Sequence, residues 1–67
     1  MNGFIELTIV NVKNTNDTRI VTININHIQY IQPSLLGEEY TFLSLQDDYI
    51  VAKISYKLLR NHLLQRI

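Results

Sequence analysis

The chain has 67 residues, six basic and six acidic side chains and no formal net charge, and 46% of its residues are hydrophobic. This length predicts one domain, residues 1–67, with a small core, because a chain of this size buries only about 60% of its unfolded surface. The absence of cysteine excludes disulfides and thiolate metal sites, and two isolated histidines are too few for a zinc cage. We therefore expect no metal and no cofactor, and a stability that depends on close packing or self-association.

Apolar and polar residues alternate along the first half of the chain, as they do in strands with one buried face. The first predicted strand covers residues 4–10, and a polar connection rich in Asn and Asp follows over residues 11–18. The second strand is predicted over residues 19–25. A bend or single helical turn at residues 26–27 then leads to a third strand over residues 28–32.

The second half of the chain predicts a hairpin and a helix. A loop bounded by Pro and Gly covers residues 33–39. Residues 40–45 and 49–53 alternate again around a tight turn at residues 46–48, so they are predicted to pair as a hairpin. Ser55 is a favourable N-cap for a helix that runs to about residue 65.

Short connections between the predicted strands exclude the crossover helices that a parallel sheet needs. The predicted fold class is α+β: a small bent antiparallel sheet of about five short strands, SH3-like or a half-barrel, with one C-terminal helix.

Apolar residues on the predicted helix point to self-association. One face is expected to cover the sheet, and its residues are Tyr56, Leu59, Leu63 and Ile67. Four further leucines lie on opposite sides of this face or in the loop before the hairpin: Leu58, Leu64, Leu35 and Leu36. They exceed the apolar surface that so small a monomer exposes comfortably, so we predict a subunit interface in a homo-oligomer. A symmetric dimer is the commonest closed assembly, and open sheet edges also allow higher rings. The alternative is that the first helical turn sinks between loop and sheet and buries the two helical leucines.

Charges are unevenly distributed along the chain. Four of the six acidic residues fall within residues 38–48, and from Lys53 onward there are four basic residues and no acid. Solvated surfaces account for this pattern. A more specific hypothesis is head-to-tail attraction between subunits.

A nucleic-acid interface is the alternative function of a different class. It would combine sheet aromatics that stack bases with nearby cations, and its candidate residues are Arg19, Lys53, Lys57, Arg60, Tyr40 and Phe42. Phosphate-binding proteins are usually clearly basic, and this chain is neutral, so nucleic acid is not the favoured partner. Packing in the core or an interface is favoured for the aromatics. Tyr40 and Phe42 share one face of the predicted strand, and Tyr49 is expected across the hairpin from them.

Catalysis is not supported by the residues present. The chain has no cysteine nucleophile, only two glycines and two histidines 35 positions apart. Its paired carboxylates are adjacent in sequence, so on a strand they point in different directions, whereas general acid–base catalysis needs convergent groups. We predict that the protein is not an enzyme and has no catalytic residues.

The chain is expected to be cytoplasmic. It begins without the basic and apolar regions of a signal peptide, and no apolar run approaches the roughly 20 residues that span a bilayer. Ten Ile and seven Asn are typical of AT-rich coding, as in some bacteria and their phages.

The order of motifs resembles the small flagellar and swarming-motility protein family. The residues that carry the resemblance are Ile5-Glu6-Leu7-Thr8, the Ile-Asn and Ile-x-x-Ile segments over residues 23–31, the strands at residues 41–45 and 49–51, and Ser55 before the helix. This chain has Asp48 where the family usually has a hairpin Gly. The resemblance implies a role in motility and no catalytic residues. A weaker likeness is to half of a LytTR-type DNA-binding domain, which is longer and more basic.

Together these observations predict a non-enzymatic, small oligomeric interaction or regulatory module from a bacterial or phage mobile element. A nucleic-acid-binding regulator is the first alternative. A viral inhibitor of a host defence protein is the second, because it too requires only a folded binding surface.

Overall fold

The computed structural model describes residues 3–65, which form five strands, a short 3-10 helix and one α-helix. The elements in chain order are β1 (Phe4–Asn11), β2 (Asn14–Asn24), the 3-10 helix Ile25–His27, β3 (Ile28–Pro33), β4 (Thr41–Leu45), β5 (Tyr49–Ala52) and α1 (Tyr56–Leu64). All neighbouring strands are antiparallel, and their order in the sheet is β2-β1-β5-β4-β3. The predicted α+β class, with a five-stranded antiparallel sheet and one C-terminal helix, is confirmed.

The β1–β2 hairpin is longer than predicted. β2 begins at Asn14, so most of the polar connection predicted over residues 11–18 is strand, and that prediction is wrong. Side-chain bonds hold this end of the hairpin: Asn11 Nδ2 donates to Asp17 Oδ2 at 3.3 Å, and the Lys13 N–H donates to Asn11 Oδ1 at 2.9 Å. Alternation detects only strands with a buried face, and every residue from Asn14 to Ile20 is exposed.

The sheet is strongly bent because a short link joins its two edge strands. β2 and β3 lie at opposite edges, yet only residues 25–27 separate them. The four-residue step from Asn24 to Ile28 reaches at most about 14 Å, whereas the edges of a flat five-stranded sheet lie about 19 Å apart. Two hydrogen bonds fix the start of the link: the Ile25 N–H donates to the Gly3 carbonyl at 2.7 Å, and Asn24 Oδ1 accepts from the Asn26 N–H at 2.9 Å. The bend predicted at residues 26–27 is confirmed as this 3-10 helix.

The bent sheet encloses the core against α1. Five fully or almost fully buried residues form its centre: Ile5, Leu7, Leu43, Ala52 and Leu59. Leu63 packs at its edge, whereas Ile67 of the predicted helical face lies outside the described residues. The predicted N-cap is confirmed, since Ser55 Oγ accepts from the Leu58 N–H at 3.2 Å. The side of the sheet that faces Leu59 is called the helix face below.

Among residues 3–65, Thr41 is the one polar side chain that is buried, and it has no exposed surface. Its Oγ1 donates to the Ile54 carbonyl at 2.7 Å. This bond joins the start of β4 to the segment between β5 and α1, so it fixes where the helix begins relative to the sheet. A buried hydroxyl needs such a partner, because an unsatisfied polar group is costly inside a protein.

Replacing Thr41 by Val tests this bond. The substitution keeps the shape of the side chain but removes the donor to Ile54, so we expect the free energy of unfolding to fall by about 1–2 kcal/mol in urea titrations followed by circular dichroism. Thr22→Val, the same change at an exposed position of β2, should stay within about 0.5 kcal/mol of the wild type. Equal effects of the two changes would contradict the role given to Thr41.

Candidate interaction surface

The side of the sheet opposite α1, called the outer face here, is not covered by a helix within residues 3–65. Adjacent strand residues point to opposite faces, so Phe42 and Val51 lie on the outer face while Leu43 and Ala52 lie on the helix face. Val51 pairs with Val10 across the β5–β1 ladder, and both are buried. The outer face therefore has a small apolar cluster of its own, and the residues over it are partly exposed.

Three aromatic rings form an aromatic row on the outer face: Tyr30, Phe42 and Tyr49. The Phe42 and Tyr49 rings are stacked, with centroids 5.3 Å apart and an interplanar angle of 23°. The Tyr30 and Phe42 centroids are 6.3 Å apart. The expected approach of Tyr49 to Phe42 across the hairpin is confirmed, and both tyrosines remain 54% exposed.

A β-bulge in β3 places Tyr30 in this row. Ile28 pairs with Leu45 and Tyr30 pairs with Ser44, so Gln29 is an extra residue in β3. In a regular strand Ile28 and Tyr30 would share a face; the bulge leaves Ile28 in the core and turns Tyr30 to the outer face. Gln29 is held there by a 3.2 Å hydrogen bond from Ser44 Oγ to its Oε1.

Sequence reasoning missed Tyr30, although the sequence contains a sign of the bulge. Ile28 and Ile31 both pack against the core. Their spacing of three residues does not fit one face of a regular strand, whose side chains repeat every two residues. Odd spacing of buried apolar residues in a short strand is therefore the signal that could have identified this residue.

A shallow groove of about 300 Å³ lies beside the aromatic row and is called the outer groove. Its lining is uncharged and mostly apolar: Val12, Gln32, Pro33, Ser34, Leu35, Leu36, Phe42, Tyr49 and Val51. Leu35 is fully exposed and Leu36 is 40% exposed. The structure thus groups the two predicted loop leucines with the aromatic row.

The loop that carries Leu35 and Leu36 has a defined backbone. Ser34 Oγ accepts from the Leu36 N–H at 3.1 Å, and the Ser34 carbonyl accepts from the Gly37 N–H at 3.3 Å. The Gly37 carbonyl accepts from the Tyr40 N–H at 3.2 Å. Gly37 has a φ of +143°, a conformation that side-chain-bearing residues rarely adopt.

The two predicted helical leucines lie away from the outer groove. Leu58 is 56% exposed and Leu64 is 50% exposed, so the first helical turn does not bury them and the alternative of burial is wrong. Leu58 borders an open cavity together with Glu38, Glu39 and Lys53. The predicted interface leucines therefore form separate exposed sites on the monomer, and their part in an interface stays a prediction.

The residues predicted to contact nucleic acid are dispersed. Arg19 lies on β2 in an open cavity with Asp17. Lys53 follows β5, and Lys57 and Arg60 are exposed on α1.

The two aromatic candidates have different surroundings. Phe42 lies in the outer groove, whose lining contains no basic residue. Tyr40 precedes β4, where its N–H and carbonyl hold the loop before the hairpin. The outer groove thus offers Phe42 for stacking without a cation in its lining, and the nucleic-acid role stays a prediction.

Acidic residues flank one end of the aromatic row. Asp47 and Asp48 form the exposed turn between β4 and β5, directly before Tyr49. The turn is fixed by two 2.7 Å hydrogen bonds, from the Tyr49 N–H to Asp48 Oδ1 and from the Leu45 N–H to the Asp48 carbonyl. His27 lines an open cavity together with Asp47 and Asp48.

Within residues 3–65 no three His, Cys, Asp or Glu side chains form a group that could hold a metal ion. The nine-residue α1 is the longest helix in this range, well short of the roughly 20 residues that a bilayer crossing needs. Comparison of the chain with protein-family models, with curated proteins and with solved structures gives no match in any of the three. The likeness to the flagellar and swarming-motility family and to the LytTR-type domain stays a prediction.

The two glycines provide a matched test of the loop. An added Cβ at Gly37 meets no close atom, since Tyr40 Cδ2 lies at 3.8 Å, so the cost of Gly37→Ala comes from the backbone conformation alone. We expect a loss of about 1–3 kcal/mol in thermal or urea unfolding. Gly3→Ala, where the Cβ would lie 3.9 Å from Asn24 Oδ1 and φ is not positive, should be close to neutral. A neutral Gly37→Ala variant would show that the loop readily takes another conformation.

Proposed function

We propose that the protein is a small, non-enzymatic interaction module that assembles with itself. The observation that carries the proposal is the uncovered outer face, where an uncharged groove and three aromatic rings adjoin two exposed loop leucines. Large contiguous apolar patches on small proteins mark interaction sites. Aromatic residues are also enriched at the energetically dominant positions of interfaces.

The size of the exposed apolar surface supports self-association on energetic grounds. Fully burying one Leu side chain contributes roughly 1.5–3 kcal/mol. Four leucines are at least 40% exposed on this monomer: Leu35, Leu36, Leu58 and Leu64. For a chain with a small core, covering part of this surface with a second copy would add stability comparable with that of the monomer itself.

The proposal predicts a concentration-dependent mass. In sedimentation velocity from low to high micromolar concentration, the wild type should form species larger than a monomer. The double variant Leu58→Gln/Leu64→Gln should be smaller and less stable, because at least one of these exposed leucines is expected to anchor the interface, while the circular dichroism of the sheet is unchanged. Asn61→Gln, an exposed change on the same helix, is the control and should assemble like the wild type.

Two results would contradict the proposed function. The first is a wild type that remains monomeric at high micromolar concentration. The second is a double variant that keeps the full assembly size of the wild type.

A further inference from the structure

We propose that the copies associate head to tail, with one side of α1 of one copy docked on the aromatic row and outer groove of the next copy. This inference rests on the proposed self-association and specifies its geometry. The docking side of α1, called the basic stripe, consists of Lys57, Arg60 and Leu64.

The basic stripe is a continuous side of the helix. Its residues follow the spacing i, i+3, i+7, which places side chains on one side of an α-helix. All three are exposed, whereas Leu59 and Leu63 turn toward the core. From the first residue to the last the stripe is about 10 Å long, since an α-helix rises 1.5 Å per residue. Leu58 lies outside it.

The receiving surface has a matching length and chemistry. Tyr30 and Tyr49 pair with Ser44 of β4 from opposite sides, so the two ends of the row lie about 10 Å apart, which is similar to the length of the stripe. Asp47 and Asp48 lie at its end beside Tyr49. Carboxylates attract the two cations of the stripe, and exposed aromatic faces attract Lys and Arg as well. The outer groove offers an apolar site for Leu64.

Charge favours this head-to-tail contact over a two-fold one. In a two-fold interface the same patch meets itself. A two-fold contact of basic stripes brings Lys57 and Arg60 against the same cations, in a segment that has no acid from Lys53 onward. A two-fold contact of outer faces brings Asp47 and Asp48 toward their own copies. Unlike charges are paired only when the basic stripe of one copy meets the acidic end of the aromatic row of another, and such complementarity sets orientation. A two-fold dimer with two such contacts would need both surfaces on one side of the subunit, whereas the stripe lies on α1 and the row lies on the opposite face of the sheet.

The apolar anchors supply most of the affinity in this arrangement. Exposed ion pairs contribute little individually, whereas burying Leu64 in the outer groove replaces apolar surface on both partners. Removing Leu64 together with Arg60 should therefore weaken association at least about tenfold. The same loss is expected when the groove is altered instead.

Two variants, each defective in one surface, test the geometry. The stripe variant carries Arg60→Gln and Leu64→Gln. The groove variant carries Leu36→Gln and Tyr49→Thr. All four positions are exposed in the monomer, so each variant should keep the circular dichroism of the wild type. The replacements are neutral, so they create no new charge pair between the variants.

In a head-to-tail assembly each variant alone is monomeric under conditions where the wild type associates. Mixed, they form a 1:1 dimer and nothing larger, because the intact groove of one binds the intact stripe of the other and the two remaining surfaces are defective. Native mass spectrometry and sedimentation velocity of the mixture measure this directly. Leu58→Gln alone is the control and should leave assembly unchanged.

The outcomes separate the two proposals. A monomeric wild type overturns the proposed function and this inference together. If the wild type associates, two results overturn the head-to-tail geometry alone. One is that the two variants do not combine on mixing, and the other is that the stripe variant or the groove variant still associates fully. Loss of assembly in Leu58→Gln also overturns it, because that residue lies outside the stripe.

Discussion

The structure depends on one constraint: a single nine-residue helix has to bury one face of a five-stranded sheet. α1 is about 14 Å long, and it cannot cover a flat sheet about 19 Å wide. Because the sheet is bent, its helix-face residues pack around Leu59, which has no exposed surface. Within residues 3–65 the second face has no such cover. Its central residues, Val10 and Val51, are buried, while the rings and loop leucines over them stay partly in solvent.

The short connection between β2 and β3 shapes both the core and the candidate interaction surface. This link draws the sheet edges together, and the bulge at Gln29 directly after it allows Ile28 and Ile31 to enter the same core. The same bulge turns Tyr30 outward beside Phe42. A change that removed the bulge would exchange an apolar core contact for an aromatic one. The aromatic row is therefore a direct consequence of how the core is closed.

Much of the fold could be predicted because alternation, turn residues and an N-cap at Ser55 are local signals. The hairpin end over residues 14–18 could not, since its residues are held by side-chain bonds such as Asn11 to Asp17 rather than by burial. Alternation along residues 40–45 puts Thr41 on the strand face of Leu43 and Leu45, but its bond to the Ile54 carbonyl is a tertiary contact. Among the candidate site residues, the proximity of Phe42 and Tyr49 followed from hairpin pairing. The loop that carries Leu35 approaches Phe42 and Tyr49 through tertiary packing, which the alternation of apolar and polar residues cannot predict.

The positions of the charges affect how two copies of the chain meet, although the net charge is zero. A neutral chain has little long-range repulsion between copies, so the short-range pattern of charges decides how two copies meet. Part of that pattern is segregated: the acidic turn directly precedes Tyr49 of the outer face, and Lys57 and Arg60 are exposed on α1. A neutral surface with separate acidic and basic patches is complementary to a second copy only when the acidic patch of one copy meets the basic patch of the other. The uncovered outer face and the basic stripe, which arise from separate features of the fold, thus favour the same head-to-tail contact.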